Sequence, residues 1–482
     1  EGDEIGDLVV KAIRPDVWED YGGPGSVESF RNTLVVANTP RVHEQVASLL
    51  AALEEAQEVI AAAENGPPKV TSLPRPPGWK QHIQKALRKK VDIECLETPL
   101  ADVVDFLKAK CEVSIQIDHR ALEDVGIGSD TPITRQAKNV SLHTALMLIL
   151  KEMDLRYVLR DEVLLITTPE EEEDELETRV LPVADLIRPW DGDDAWLASQ
   201  IWEDEQGLDT LIDVITATIR PTYWEDVGGA GSIEAYSGCL VISQTDASFA
   251  EIEQLLAGLR KLQAAMRADP QRVITEPLWL DELGSQRPAE LREALTAEVG
   301  MLSFQRTPLD EVMQHISDKH DLPIQIDLRA FDTYGVDPGT TVTATFGGES
   351  VAQALRRLTR PLELKVIIRD EAILITTPEE AESQLLTCIY PVADLAMTRV
   401  PDGLPGEVGA ADFDALIDTI TSTIHPDTWE DVGGPGAVEP YPVVRALVIS
   451  QTEEVQDAVA ELLANMRETE AAQEKRAAVA AI

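Results

Sequence analysis

Apolar residues recur along this chain on two periods, and the periods alternate. Phe413, Leu416, Ile417, Ile420 and Ile424 stand three or four residues apart, so a helix with one apolar face is predicted there. Pro426 ends it, because proline cannot continue a helix and restricts the residue before it. Leu385 to Leu395 before it is rich in apolar and β-branched residues and reads as a strand. Leu447-Val-Ile-Ser-Gln-Thr452 reads as a second, short buried strand, and Val455, Val459, Leu462, Leu463 and Met466 mark a second helix. The predicted order is β-α-β-β-α.

Between this helix and the buried strand lies Trp429-Glu-Asp-Val-Gly-Gly-Pro-Gly436. The same stretch stands at Trp18 to Gly25 and at Trp224 to Gly231, at offsets of 206 (224 − 18) and 205 (429 − 224) residues. Each copy follows Ile-Arg-Pro or Ile-His-Pro. A near-constant period means tandem duplication. The middle copy runs from Arg179 to Gln263, with Leu240 to Thr245 as its buried strand. The first copy opens on its helix (Ile5, Val9, Ile13), so its first strand would lie before residue 1 and the chain is expected to start inside a unit.

A second kind of unit alternates with the first. Ile115-Gln-Ile-Asp-His-Arg-Ala121 matches Ile324-Gln-Ile-Asp-Leu-Arg-Ala330, and Arg160 to Pro169 matches Arg369 to Pro378. A helix is predicted over Leu100, Val103, Val104 and Leu107, another over Leu142, Ala145, Leu146, Ile149 and Leu150, and a hairpin closes across Arg160-Asp-Glu. That order is β-α-β-β-α-β-β. The reading is an α+β chain of five small modules. Residues 1–56, 176–266 and 385–468 are the first type, residues 89–170 and 297–379 the second. Residues 57–88 and 267–296 are Pro-rich linkers in which Trp79 and Trp279 are expected to dock on a neighbour, and 469–482 is a helical tail. The run Glu170 to Glu177 reads as a solvated helix or linker.

The second type resembles the secretin/TonB short N-terminal domain, through Thr98-Pro-Leu-Ala-Asp-Val-Val-Asp-Phe-Leu107, the Ile-Gln-Ile-Asp strand, Asn139 to Leu146, and the hairpin ending in Leu-Ile-Thr. The first type resembles the KH-like secretin N-terminal domain, through Val-Ala-Asp-Leu, a helix, Leu-Val-Ile-Ser-Gln-Thr, and a helix ending in Leu-Leu-Ala. The secretin β-barrel domain is not visible, and the Trp-Glu-Asp loop is not a secretin feature. The resemblance therefore implies module folds and a habit of stacking or binding proteins, and it transfers no catalytic residue.

The candidate chemistry is thin. The glycine-rich loops are followed by β-rich runs and preceded by carboxylates, which suits a turn better than a phosphate cradle. The adjacent pairs Glu19 and Asp20, Glu225 and Asp226, Glu430 and Asp431 are candidate calcium ligands, although calcium takes six to eight oxygens and two carboxylates are few. The tryptophans Trp18, Trp224 and Trp429 either pack over the loop base or take part in contacts. Asp118 with Arg120, and Asp327 with Arg329, stand two residues apart on what reads as one strand face, suited to an ion pair or a contact with the next unit. The seven histidines do not recur between copies, and a duplicated active site would repeat its polar residues. Non-enzymatic function is expected, with no cofactor other than calcium.

Charge narrows the partners. Against 41 basic residues stand 87 acidic ones, a formal net charge of −46, which argues against nucleic acid and anionic membrane surfaces. No stretch approaches a membrane span. The four cysteines occupy no equivalent repeat positions and read as isolated buried thiols. The leading expectation is a repeating subunit of a bacterial envelope or surface assembly, periplasmic or extracellular. It would pair with copies of itself or other envelope proteins, partly by strand addition at the incomplete first unit. A monomeric periplasmic adaptor for a protein or peptide is the alternative; a hydrolase or glycan-binding protein is a third.

Overall fold

Strand β10 (Cys239–Gln244) is buried along its whole length, although successive side chains of a strand point to opposite faces. Both faces of its sheet are therefore covered. Leu240 and Ile242 pack into the core of their own module, while Cys239 and Val241 pack into the core that holds the first module's helices. This double burial is how the first-type modules stack.

The computed structural model describes residues 2–31, 33–63, 67–173, 175–187, 204–269, 272–280, 287–369, 371–396 and 412–480. The Gly/Pro-rich loop expected before Phe413 and the turn residue Asp370 lie outside them. The contacts divide into two compact units that interleave in sequence. One comprises Glu1–Arg75, Leu176–Glu282 and Leu385–Ile482, and the other Pro76–Glu175 and Leu283–Gln384.

The first unit holds the three first-type modules. The first module has a short helix, Gly2–Ala12, the hairpin β1 (Ser26–Phe30) and β2 (Thr33–Ala37), and a long helix, Pro40–Ala62. The second has β8 (Glu177–Pro182), the short helix Asp204–Thr218, β9 (Ser232–Tyr236), β10 and the long helix Asp246–Ala268. Its antiparallel sheet is ordered β8-β10-β9. The third repeats this with β17 (Leu386–Pro391), Phe413–Thr423, β18 (Ala437–Tyr441), β19 (Ala446–Gln451) and Glu453–Ala480. Here a fourth strand, β11 (Leu278–Trp279), pairs with β17 so that Trp279 lies opposite Cys388. Leu73 makes the matching two-way backbone bridge to Val180 on β8. Residues of the two stretches read as semi-rigid linkers thus extend the sheet of the module that follows in the stack. The first long helix also runs past residue 56, because Leu53, Ala56 and Ile60 still have a core to meet.

The second unit holds the two second-type modules, each with its own core. In the earlier one, β3 (Lys90–Pro99) pairs with β5 (Pro132–Ser141), and β4 (Ile115–Ile117) runs parallel to β7 (Val163–Thr167), which pairs antiparallel with β6 (Arg156–Arg160). The later one repeats both sheets, β12 (Leu302–Pro308) with β14 (Thr341–Phe346), and β13 (Ile324–Ile326), β16 (Ala372–Thr376) and β15 (Lys365–Arg369). Some helices depart from expectation. A helix, Gly78–Leu87, occupies the former linker and brings Trp79 and buried Ile83 to the core. A second short helix follows each Ile-Gln-Ile strand, His119–Asp124 and Leu328–Tyr334. Asp118 and Asp327 are the N-caps, accepting from the backbone N–H of Ala121 and Ala330 at 3.1 Å each. A side-chain oxygen that satisfies an orphan helix donor starts a helix here, so these aspartates and Arg120 and Arg329 do not share a strand face.

Candidate protein-interaction surfaces

The Trp-Glu-Asp loop is a closed structural turn in all three copies. Each indole is buried and donates to a carbonyl five residues upstream. Trp18 donates to Ile13 at 2.6 Å, Trp224 to Ile219 at 2.9 Å, and Trp429 to Ile424 at 2.8 Å. The backbone closes the loop a second time, with Glu225 N–H on Gly231 and Gly231 N–H on Tyr223 at 2.8 and 2.9 Å. The middle glycine is required by close approach. A Cβ on Gly434 would sit 2.2 Å from the carbonyl carbon of Thr428. The tryptophans therefore belong to their own module cores, the packing role weighed above. The paired carboxylates ride on the loop, and among the described residues no group of three or more His, Cys, Asp or Glu is placed to hold a metal ion.

What the loop does position is a junction. Lys11, in the last turn of the first short helix, pairs with Glu234 of β9 at 2.8 Å. That pairing, foremost, holds the ammonium above its ordinary pKa. Burial, then Glu234 and Asp226, push the Glu225 carboxyl up, and Lys11 pulls it back. Ser232 Oγ donates to Lys11 O at 3.1 Å, and Thr178 Oγ1 to Ala12 O at 2.8 Å. Gln57 Nε2 donates to Ser237 O at 2.9 Å.

The next junction repeats the geometry without the cation. Thr387 Oγ1 donates to Thr218 O at 3.1 Å, as Thr178 does to Ala12, and Tyr441 Oη donates to Leu186 O at 2.7 Å. Ile389, Tyr441 and Val448 are buried against the second module's helices. Glu439 takes the place of Glu234, and the residue in Lys11's place is Ala217. Burial, then Glu430, Asp213 and Asp431, push the Glu439 carboxyl up to about 7. A half-buried carboxylate among carboxylates favours its neutral form.

In the second unit the two modules meet through charge. Arg135 is buried, donates to Ile326 O at 2.9 Å and pairs with Glu152. Burial lowers its pKa to about 10, against the pull of Asp327. Lys151 reaches Asp327 at 3.0 Å, and Arg329 reaches Asp154 at 2.8 Å. Asp327 and Arg329 thus contact Lys151 and Asp154 of the earlier module, whereas Asp118 caps its helix and Arg120 is exposed. Lys11, Glu234, Glu439, Arg135 and Lys151 were missed from sequence. A usable signal existed for one position, since Ser-Val-Glu, Ser-Ile-Glu and Ala-Val-Glu place Glu28, Glu234 and Glu439 alike.

An open cleft of about 610 Å³ lies over β3 and β5, lined by Asp92, Glu94, Cys95, Asp102 and Lys138 among others. Burial pushes the Cys95 thiol up, the reverse of what activates a nucleophile. All four cysteines are free. No helix among the described residues is long and apolar enough to cross a membrane.

No family model matches this chain, and no curated protein matches it. Among solved structures it is similar to one titled "Structure of XcpQN012", at 13% identity over 57% of this chain and 97% of that one, with a TM-score of 0.15. A dimeric cysteine mutant of the N-terminal domain of the secretin XcpQ from Pseudomonas aeruginosa matches at 13% identity, over 57% of this chain and 98% of that one, with a TM-score of 0.13. Scores this low mean that the chains do not superpose as whole folds, and nothing further rests on them.

Proposed function

We propose that this chain is a non-enzymatic protein-interaction scaffold of the bacterial cell envelope, built from KH-like and secretin/TonB short N-terminal-like modules. The observation that carries the reading is the uncovered back of the first module's sheet. Phe30 and Val35 are 63% and 57% exposed there, while the matching faces of the second and third modules are packed against a neighbouring module's helices. Exposed apolar residues at a position that is otherwise an interface mark a contact surface. A photo-crosslinking residue at position 35, in native envelopes, is expected to give a discrete protein adduct that Glu28→Arg suppresses. No adduct beyond that of a control position such as Glu54 overturns the scaffold reading.

A repeating subunit of a fibre or ring is the second reading. The packing of one first-type module's sheet on another's helices favours it, because a heterologous contact of this kind can also propagate between chains. Light scattering at micromolar concentration decides between subunit and adaptor. A species that stays at 52.8 kDa across calcium and salt means an adaptor. The six loop carboxylates would bridge calcium only in an assembly whose mass responds to that ion.

A further inference from the structure

The two second-type modules are copies at an offset of 209 residues (324 − 115), so their sheets can be compared position by position. The β3–β5 and β12–β14 pairs keep one register, with Ile93 opposite Ala137 and Leu302 opposite Phe346. Both leading strands bulge at the same place, where Glu97 and Arg306 take positive φ of 47° and 52°. In the later module three rings gather beside this sheet. Phe304 stands edge-on to His315 at 5.5 Å and to Phe346 at 6.2 Å between ring centroids. In the earlier module the same three positions are Cys95, Phe106 and Ala137. Two of the three rings are replaced by small side chains, while the backbone keeps its course.

The cleft of about 610 Å³ opens over Cys95, between β3 and the helix Leu100–Cys111. Cys95, Val103 and Phe106 give it an apolar wall. Phe106, with no counterpart of Phe304 to lie against, is 45% exposed. The rim is acidic, from Asp92, Glu94 and Asp102, and the rim lysine, Lys138, already pairs with Asp318 at 3.0 Å. Asp92 is held in place by accepting from the Asn139 N–H at 2.8 Å. β3 has β5 on one side and, among the described residues, no strand on the other. Along it Asp92 and Glu94 are exposed on one face, while Ile93 and Cys95 turn to the other. A strand added at this edge would follow the same alternation. Its side chain beside Cys95 would enter the cleft, and the residues before and after would lie on the acidic face.

We propose that the cleft beside Cys95 is a docking site for an extended segment of another protein, in which an aromatic residue has a lysine or arginine on each side. The ring takes the place that the Phe304 ring holds in the later module and lies against Phe106. The flanking cations meet Asp92 and Glu94. The later module is the template, since its own ring fills the equivalent place. Charge complementarity selects the flanking residues. In this sequence no aromatic residue has a lysine or arginine on both sides, so a second copy does not supply the segment. The inference rests on the reading of the chain as a protein-interaction scaffold, but it uses a different surface from the first module's sheet.

The probe is a fluorescent peptide of sequence Thr-Val-Lys-Phe-Lys-Val-Thr, titrated with the purified full chain and read by anisotropy. Saturable binding is expected. Replacing the peptide's Phe by Ala, or both of its Lys by Glu, should weaken it at least about tenfold. On the protein side, Cys95→Phe installs the ring that the later module carries at this position, and should weaken binding by a similar factor because the cleft is then occupied. Glu94→Lys, at an exposed site, should do the same by reversing the rim charge, and it keeps the test decisive should Cys95→Phe misfold. No binding at peptide concentrations up to about 1 mM overturns the proposal. So does binding that the Lys-to-Glu peptide loses but that neither the Ala peptide nor Cys95→Phe weakens, because general attraction to an acidic chain then explains it. None of these results touches the envelope crosslink from position 35, which tests the scaffold reading separately.

Discussion

Lys11 and Glu234 join two modules by an ion pair at 2.8 Å, and one module later Ala217 and Glu439 hold the matching positions. Both partners of the pair keep some contact with solvent, so its worth is modest. A double-mutant cycle with Lys11→Ala and Glu234→Gln, read by urea unfolding of the full chain, should give a coupling of about 0.5 to 1 kcal/mol that shrinks in high salt. A coupling indistinguishable from zero at low salt would mean that apolar burial alone holds this junction.

Glu439 makes the second junction pH-dependent, and the sign follows from its raised pKa. Its folded-state pKa is about 7, against an ordinary value of 4.5. Below 4.5 the group is protonated both folded and unfolded. Between the two values the folded state binds the extra proton, so stability falls as pH rises through this window. Discounted for its partial exposure, the loss is on the order of 1 kcal/mol. Glu439→Gln should remove most of this slope, raising the melting temperature at pH 8 and leaving it nearly unchanged at pH 4.5. Equal effects at both values would show that the carboxylate is not the titrating group.

The Trp-Glu-Asp loop is expected to matter to folding. Gly434→Ala forces a Cβ against the Thr428 backbone, which has no flexible end to yield. The cost should be about 3 kcal/mol or more, the range of severe overpacking. Thermal unfolding of the variant checks it. A change under about 0.5 kcal/mol, typical of an unconstrained surface site, contradicts the loop geometry.

Asp118 and Asp327 are a matched pair with different duties. Both cap a helix, but only Asp327 is buried and bonded to Lys151 and Thr376. Asp118→Ala should cost about 1 kcal/mol, a lost N-cap. Asp327→Ala should cost roughly 2 kcal/mol, because it also removes the buried acceptor of Thr376 and one of the two carboxylates that Lys151 meets. Chemical denaturation of the two variants side by side would show the difference, and equal costs would sink the claim that Asp327 links the two modules.

The candidate surfaces were only partly legible. The recurrence of Glu28, Glu234 and Glu439 is plain in the sequence, but their partners are not. Lys11 lies 223 residues from Glu234 (234 − 11) and has no basic counterpart in the other copies, so no repeat could reveal it. Arg135 meets Ile326 for an equally non-local reason. The aspartates of the Ile-Gln-Ile-Asp motif were read as strand residues because the strand's apolar pattern runs up to them. Capping of the next helix is a local backbone event that hydrophobic periodicity does not record.

Local pattern alone determined the main helices and strands of each module and their order, but not the helices Gly78–Leu87, His119–Asp124 and Leu328–Tyr334. Period determines which side of a helix or strand is apolar, and that information is written within a few residues. The duplication, the α+β class and the Gly-rich turn follow from the same local record. Only the tertiary structure decided which apolar face meets which. Val35, Val241 and Val448 hold equivalent positions in three copies, two of them buried and one exposed. No local signal separates them, because burial depends on whether another module's helices lie over the sheet.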